Sequence, residues 1–373
     1  MKIVYCIAGL YNSAGMERVI TNKANYLAQK GHDVYVITAE QCNRPLYYPL
    51  LSSVKHIDLE INYTQEETLF GKLTSVLFKR RNHKRKLTEV LNSIKADIVI
   101  STFGNEIFFL HKINDGSKKI AEIHFCKNYR LKRGRKGLWY LVDWIRTLQE
   151  NRHASKYDAF VTLTNEDKQN WNNKNVWAIP NAVYYIPDQI AKLHEKNLLV
   201  VGRFSYQKGY DRLIRIWQRV SSKVDGWYLS IYGDGEEKDS IKSLAESYGI
   251  SDTINFNDAV KDISTAYLKS SALLLTSRYE GLPMVLLEAI SYGLPLISFA
   301  CPCGPMDIIE DGVNGFLIKD GDEEAFAEKL VEIIRNDELR FKMGVSAKQT
   351  SLKYSNESVM AQWEELFGVL ISR

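Results

Sequence analysis

Cysteine is scarce and scattered in this 373-residue chain, with five residues at positions 6, 42, 126, 301 and 303. An odd, dispersed set is no disulfide framework and reads as reduced thiols. Cys301-Pro302-Cys303 lacks the second ligand pair that a zinc site needs, so it is expected to be loop. No apolar run approaches the roughly 18 residues that suggest a membrane-spanning helix. The opening Met1 to Ala8 carries one lysine, a short apolar stretch and no small-residue cleavage site. It reads as a first strand, not a signal peptide. Proline is sparse, at eight residues, and glycine is modest at 22, which argues against fibrous or disordered chains. The dinucleotide glycine fingerprint is also missing, because Gly9 and Gly15 are too far apart and nothing fills the middle position. A NAD-dependent dehydrogenase is therefore disfavoured, and no repeat at a solenoid or propeller period is found.

What is present is a hydrophobic share of 45%, enough for a large core, and a length that favours two domains. Charge divides unevenly. Residues 1–190 hold 28 Lys+Arg against 18 Asp+Glu, a net +10, whereas residues 191–373 hold 21 against 27, a net −6. The first half is thus expected to face something anionic. Short apolar runs alternate with amphipathic ones, the pattern of α/β organisation with mainly parallel sheets. Strands are predicted at 2–8, 33–38, 97–101, 119–123 and 158–162, with a helix over about 15–30 ending at Gly31. A linker is placed from 179 to about 195. A second series follows, with strands at 197–202, 227–232, 253–256, 272–276 and 296–299 and closing helices at 322–336, 337–349 and 356–370. The expected domains are 1–185, 186–355 and a terminal helix, 356–373, crossing back to the first. Two open α/β domains imply a cleft, with ligands beyond the carboxyl ends of the strands.

Polar clusters fall at those strand ends. Ser277-Arg278-Tyr279-Glu280-Gly281-Leu282-Pro283 leaves a predicted strand and enters a nearly all-apolar helix whose one acid is Glu288. A buried Glu288 needs a partner, either a fixed protein donor or ligand hydroxyls. Glu280 sits in the loop before it, and the amides of Gly281 and Leu282 at the helix start suit an anion. Gly202-Arg203 and Lys208-Gly209 bracket a second loop, where a forked guanidinium and a point charge suit a diphosphate. Small residues around Gly15 open the first helix, a weak phosphate or sugar cradle alone. His124, directly after a predicted strand, is placed to hydrogen-bond a substrate hydroxyl, with a histidine satisfied by its own loop as the competing reading.

Together these residues resemble the retaining glycosyltransferases of family 4, of the type that builds bacterial surface polysaccharides. The resemblance runs through nearly the whole chain. Its marker is Glu-x7-Glu, here Glu280 and Glu288. Around it stand Gly202-Arg203 with Lys208-Gly209, Tyr232-Gly233-Asp234-Gly235, Ala14-Gly15-Met16-Glu17-Arg18, and Cys303-Gly304-Pro305 through Asn314-Gly315. The resemblance implies the GT-B fold, two Rossmann-like doubly wound domains facing each other across a cleft. It implies that Arg203 and Lys208 hold the donor diphosphate and that Glu288 binds the ribose hydroxyls. Glu280 with Gly281 and Leu282 would contact the transferred sugar, His124 would lie near that sugar, and the base would sit by Asp258-Ala259-Val260. Two departures stand out: Ala14 replaces the first glycine of the usual pair, and Ala300 stands where close relatives often carry Asp. Retention follows from the same resemblance, and a UDP-sugar is expected ahead of a GDP-sugar. Asp320-Gly321-Asp322 matches a metal pattern of another transferase fold, but it is expected in a turn before a helix; no cofactor and no required metal are expected.

Two stretches carry six basic residues each and no acid: 79–86 and 127–136, the second running on to Leu138, Trp139, Tyr140, Leu141 and Trp144. Basic residues beside interfacial aromatics suit an anionic membrane surface, through 79–86 and 127–144. The expected acceptor is a glycan on a polyprenyl diphosphate. The expected location is cytoplasmic, peripheral on the inner face of the cytoplasmic membrane. No nucleic-acid module is recognised. Competing readings are a sugar-nucleotide epimerase or phosphorylase of the same architecture, and a non-catalytic two-lobed carbohydrate-binding protein.

Overall fold

The computed structural model describes residues 1–12, 15–63, 69–131, 136–172 and 174–372, with the backbone alone for 69–77. The chain divides into two compact units. The first comprises Met1–Leu163, Asp167–Ile179 and Met360–Arg373; the second comprises Thr164–Glu166 and Pro180–Val359.

The first unit is built on β1 (Lys2–Ile7), α1 (Gly15–Gln29), β2 (Asp33–Thr38), β3 (Lys55–Asp58), α2 (Leu69–Ile94), β4 (Ile98–Ser101), β5 (Lys118–Glu122), α3 (Leu138–Ala154), β6 (Ala159–Thr162), α4 (Asn165–Gln169) and β7 (Val176–Ala178). Its seven strands are all parallel, in the order β3-β2-β1-β4-β5-β6-β7. Residues i and i+2 of a strand share a face, and Val4 with Cys6 of β1 pack one core with Leu87 and Leu91 of α2.

The second unit holds β8 (Asn197–Val201), α5 (Tyr210–Val220), β9 (Tyr228–Tyr232), α6 (Lys238–Ser247), β10 (Ile254–Asn257), α7 (Ser264–Leu268), β11 (Ala272–Leu275), α8 (Met284–Ser291), β12 (Leu296–Phe299), α9 (Pro305–Ile308), β13 (Gly315–Ile318), α10 (Glu323–Arg335) and α11 (Asp337–Ser351). The last helix, α12 (Asn356–Ile371), starts in this unit and belongs to the first from Met360 onward. Six parallel strands run β10-β9-β8-β11-β12-β13. Leu213 and Trp217 of α5, four apart and therefore on one helix face, are fully buried with Phe326 and Leu330 of α10.

Both sheets are Rossmann-like. Strand order reverses between β1 and β4 in one and between β8 and β11 in the other, and crevices for ligands open beyond the carboxyl ends of such strand pairs. All ten predicted strands form, within about one residue at each end. The prediction missed β3, β7 and β13, three short edge strands, and did not recognise the two basic stretches as parts of helices or helix approaches. Asp320 pairs with Arg212 at 2.7 Å, and Asp322 caps α10 by accepting from the Ala325 amide at 3.0 Å, so both carboxylates have local structural partners.

Candidate active site

The reversal point of the second sheet brings two loops together. The chain leaves β8 at Gly202-Arg203, turns through Tyr206–Lys208, and enters α5 at Gly209. It leaves the neighbouring β11 at Thr276-Ser277 and reaches α8 through Glu280–Pro283. Gly209 has φ +65°, and a Cβ there would stand 2.3 Å from the carbonyl oxygen of Thr276. Only glycine allows this approach. The loops are then stitched by backbone and side chain. The Arg278 amide donates to the Gln207 carbonyl at 2.7 Å, Gln207 Nε2 to the Tyr279 carbonyl at 3.0 Å, and Thr276 Oγ1 to the Lys208 carbonyl at 3.1 Å.

At the centre, Lys208 Nζ donates to Glu280 Oε1 at 2.7 Å, and Ser277 Oγ donates to the same oxygen at 2.6 Å. Glu280 is buried and Lys208 nearly so. A charge-assisted contact of this kind fixes a cation on a long, flexible stem. The carboxylate also raises the pKa of its neighbours: burial first, then Glu280, pushes up both the Tyr210 hydroxyl and the Cys301 thiol. The Glu280 amide in turn donates to the Pro302 carbonyl at 3.0 Å, so the Cys301–Cys303 segment is loop and forms one wall of the site.

The other predicted donor residues lie on the same unit without joining that contact. Arg203 is 76% exposed at its side chain, with Nε 3.7 Å from Glu236 Oε2. Glu288, on α8, accepts from the Tyr267 hydroxyl at 2.8 Å, a fixed protein donor for the one acid of that apolar helix. Gly281 and Leu282 precede α8, with Pro283 as its cap, one residue outside the helix rather than in its first turn. Asp258 is exposed and pairs with Lys238 at 2.5 Å, and Lys238 also bonds Asp234 at 3.1 Å; Val260, in the following loop, is half exposed. Ser277, Tyr267, Gln207 and the Arg278–Asp211 ion pair, at 2.8 Å, were not singled out from sequence. Only the Ser277-Arg278 position beside Glu280 carried any signal for them.

In the first unit His124 follows β5 by two residues. Its ring is 4% exposed, and Nε2 lies 3.4 Å from Glu122 Oε1 without hydrogen-bond geometry. Among the described residues neither ring nitrogen has a hydrogen-bond partner, so the loop does not satisfy this histidine. Burial, only partly offset by Glu122, pushes its pKa down to about 4, and the imidazole is neutral. Glu122 is held instead by Lys23 of α1, in a fully buried ion pair. Lys23 Nζ also stands 4.2 Å over the Trp363 ring of α12. Sequence reasoning missed this cluster because Lys23 reads as one polar position in an amphipathic helix. Gly15 opens α1, where an added Cβ would meet nothing within 4 Å among the described residues. Ala14 lies outside the described residues.

The basic stretches are not uniform charged faces. In α2, Lys79 and Lys86 donate to the carbonyls of Asn62 and Leu59, His83 is buried, and Arg80 stacks on Phe108 with 4.2 Å to the ring centre. In the second stretch Arg130 pairs with Glu150 at 2.8 Å; Lys132, Arg133 and Arg135 lie outside the described residues. Helix α3 does present an exposed apolar run, Leu138, Trp139, Leu141, Trp144, Ile145 and Leu148 among it. Among the described residues no helix is long and apolar enough to cross a membrane.

Residues 13–184 match the family described as Glycosyltransferase Family 4, and residues 186–350 match Glycosyl transferases group 1. An uncharacterized glycosyltransferase of Haemophilus influenzae is 32% identical over 97% of this chain and 99% of its own length. A Campylobacter jejuni protein is 28% identical over 99% of this chain and 98% of its own. It is named GalNAc-alpha-(1->4)-GalNAc-alpha-(1->3)-diNAcBac-PP-undecaprenol alpha-1,4-N-acetyl-D-galactosaminyltransferase. Among solved structures, sucrose-phosphate synthase of Thermosynechococcus elongatus superposes with a TM-score of 0.83 at 15% identity, covering 100% of this chain and 99% of that one. The fold is GT-B, two Rossmann-like parallel-sheet units in one chain. The chain belongs to the glycosyltransferases of family 4, and it is a transferase.

Proposed function

We propose that this glycosyltransferase moves a hexose or N-acetylhexosamine, with retention, from a nucleotide-sugar to a hydroxyl of a glycan acceptor, in assembling a bacterial surface glycan. The donor is read as a UDP-sugar ahead of a GDP-sugar. The observation that carries the reading is the Lys208–Glu280 contact at the β8/β11 reversal point, where two charged loops meet at a site suited to an anionic ligand.

Arg203 and Lys208 take the donor diphosphate. As the anomeric bond breaks, negative charge grows on that group, and fixed cations stabilise it more than the ground state. Glu280 holds Lys208 in place and, with Gly281 and Leu282, contacts the transferred sugar. Glu288, oriented by Tyr267, binds the ribose hydroxyls, and Asp258-Ala259-Val260 flank the base. His124 serves as a neutral hydrogen-bond partner for a substrate hydroxyl. Attack comes from the face the leaving group departs, and the leaving phosphate takes the acceptor proton. No covalent nucleophile and no metal is assigned.

For the acceptor, we favour a glycan carried on a polyprenyl diphosphate at the inner face of the cytoplasmic membrane. The Campylobacter relative, whose name specifies an undecaprenol-diphosphate glycan, and the exposed apolar run of α3 support this. A thermal-shift panel of UDP-, GDP- and ADP-sugars tests the donor reading, because a ligand that binds the folded state raises its melting temperature. At least one donor, UDP-linked first, should raise it. A flat response across the panel would sink the reading.

A further inference from the structure

The first unit contains a second concentration of charge, on residues other than those assigned to the donor. A cavity of about 600 Å³ opens between α2, the 3-10 turns Asn105–Phe108 and Leu110–Lys112, and the end of α3. Arg80, Arg81 and Lys84 of α2 line it, with Lys112, Arg152 and Lys156. Phe108 and Phe109 supply its apolar wall, and among the described residues no Asp or Glu is part of the lining.

Among the described residues none of these six cations makes an ion pair. Six like charges gathered around one hollow give it a positive potential, which salt screens and an entering anion would meet. Arg80 is already fixed for one: its guanidinium lies on the Phe108 ring, and among the described residues its buried Nε has no hydrogen-bond partner. The histidines register the same field. Burial and then the surrounding Lys156, Lys112, Arg80 and Arg152 lower the pKa of His153, and burial, then His153 and nearby lysines, push His111 down to about 4. Both rings are therefore neutral and leave the positive potential to the guanidinium and ammonium groups.

The geometry points to a binding pocket for a phosphate or diphosphate ester, built wholly from first-unit residues. Guanidinium forks and mobile ammonium groups match phosphoryl oxygens, and the aromatic wall suits the organic part of an ester. The hollow, about 600 Å³ and open to solvent, is wide enough for a diphosphate with part of the organic group it esterifies. The exposed apolar run of α3 begins at Leu138, and Arg152 on the same helix lines the pocket. At 1.5 Å rise per residue the two ends are about 20 Å apart, a span suited to an amphiphile with an anionic head. The pocket deepens the acceptor side of the function proposed above. Its ester comes either from a diphosphate-linked acceptor or from a bilayer phospholipid.

Inorganic pyrophosphate titrated calorimetrically into the full chain tests the pocket. R203Q/K208Q serves as background so that the donor residues are silenced, and R81Q/K84Q/R152Q is then added. The expected result is a site that survives R203Q/K208Q and weakens at least tenfold when the three pocket cations are neutralised. The melting temperature of the ligand-free chain should stay level or rise, since exposed like charges have been removed. Absence of pyrophosphate binding in the R203Q/K208Q background, or binding indifferent to the pocket substitutions, overturns the inference. The comparison of wild type with R203Q/K208Q reports on the donor reading separately. Flotation with phosphatidylglycerol vesicles then separates the sources. If R81Q/K84Q/R152Q loses vesicle and pyrophosphate binding together, the ester is a bilayer headgroup; if vesicle binding persists, it is the diphosphate of an acceptor.

Discussion

Lys208 donates to Glu280 across 2.7 Å although the two stand 72 residues apart in sequence. The contact joins the loops of two neighbouring strands, and it makes an acid of the second loop the positioner of a cation in the first. If Lys208 stabilises the departing diphosphate, Lys208→Met should lower kcat by on the order of 10²–10³. Glu280→Gln should cost a similar factor, and the double variant should lose little more than either alone, because the pair acts as a unit. Additive losses in steady-state kinetics would mean the two residues work independently.

Backbone geometry supports that pair. At Gly209, with φ +65°, a methyl group would stand 2.3 Å from the Thr276 carbonyl oxygen. Gly209→Ala should therefore destabilise the chain by about 2 kcal/mol in urea unfolding. It should also weaken nucleotide binding by displacing Lys208. A variant with wild-type stability would show that the two loops are not locked together.

The Lys23–Glu122 ion pair is fully buried. Removing one partner strands a charge, so Lys23→Met alone or Glu122→Gln alone should cost about 3–5 kcal/mol, whereas K23M/E122L should recover much of the loss. Equilibrium unfolding of the three variants decides. Equal destabilisation by the single and double replacements would refute the pairing argument.

Two buried histidines set a pH dependence. Burial pushes His83 and His124 down to about 4, against an unfolded value near 6.5. Between those values the unfolded chain binds more protons than the folded one, so stability is fully present above about pH 6.5 and is lost as pH falls toward 4. Each ring contributes on the order of 3 kcal/mol to that loss. His124→Asn should flatten it in urea unfolding at pH 4.5, 5.5 and 7.5. A wild-type chain that gains stability on acidification through this window would contradict the assignment.

Much of the fold was legible in the sequence because buried parallel strands read as continuous apolar runs, as at residues 197–201 and 296–299. Edge strand β3 escaped notice for the opposite reason, whereas β7 and β13, three and four residues long, are too short to stand out from the loops beside them. Lys55–Asp58 is exposed or half-buried throughout, and its composition carries no apolar run. At the site, Glu280 and Lys208 were legible as charges at strand ends, but their contact was not, since register across β8 and β11 brings it about. Tyr267 was invisible as the partner of Glu288, lying 21 residues away on a different helix. The basic stretches were read correctly as charge and incompletely as structure. Periodicity alone does not reveal that Lys112, Arg152 and Lys156 converge on the same hollow as Arg80, Arg81 and Lys84.

The most direct test concerns the donor diphosphate. The nucleoside diphosphate giving the largest thermal shift, UDP first among them, should be titrated calorimetrically into the wild-type chain and into R203A/K208A. The expected result is binding weakened at least tenfold in the variant at a temperature where both chains are folded, the variant melting lower because buried Glu280 loses its cation. Equal affinity in the two chains would contradict the account, because the diphosphate would then be held by other residues.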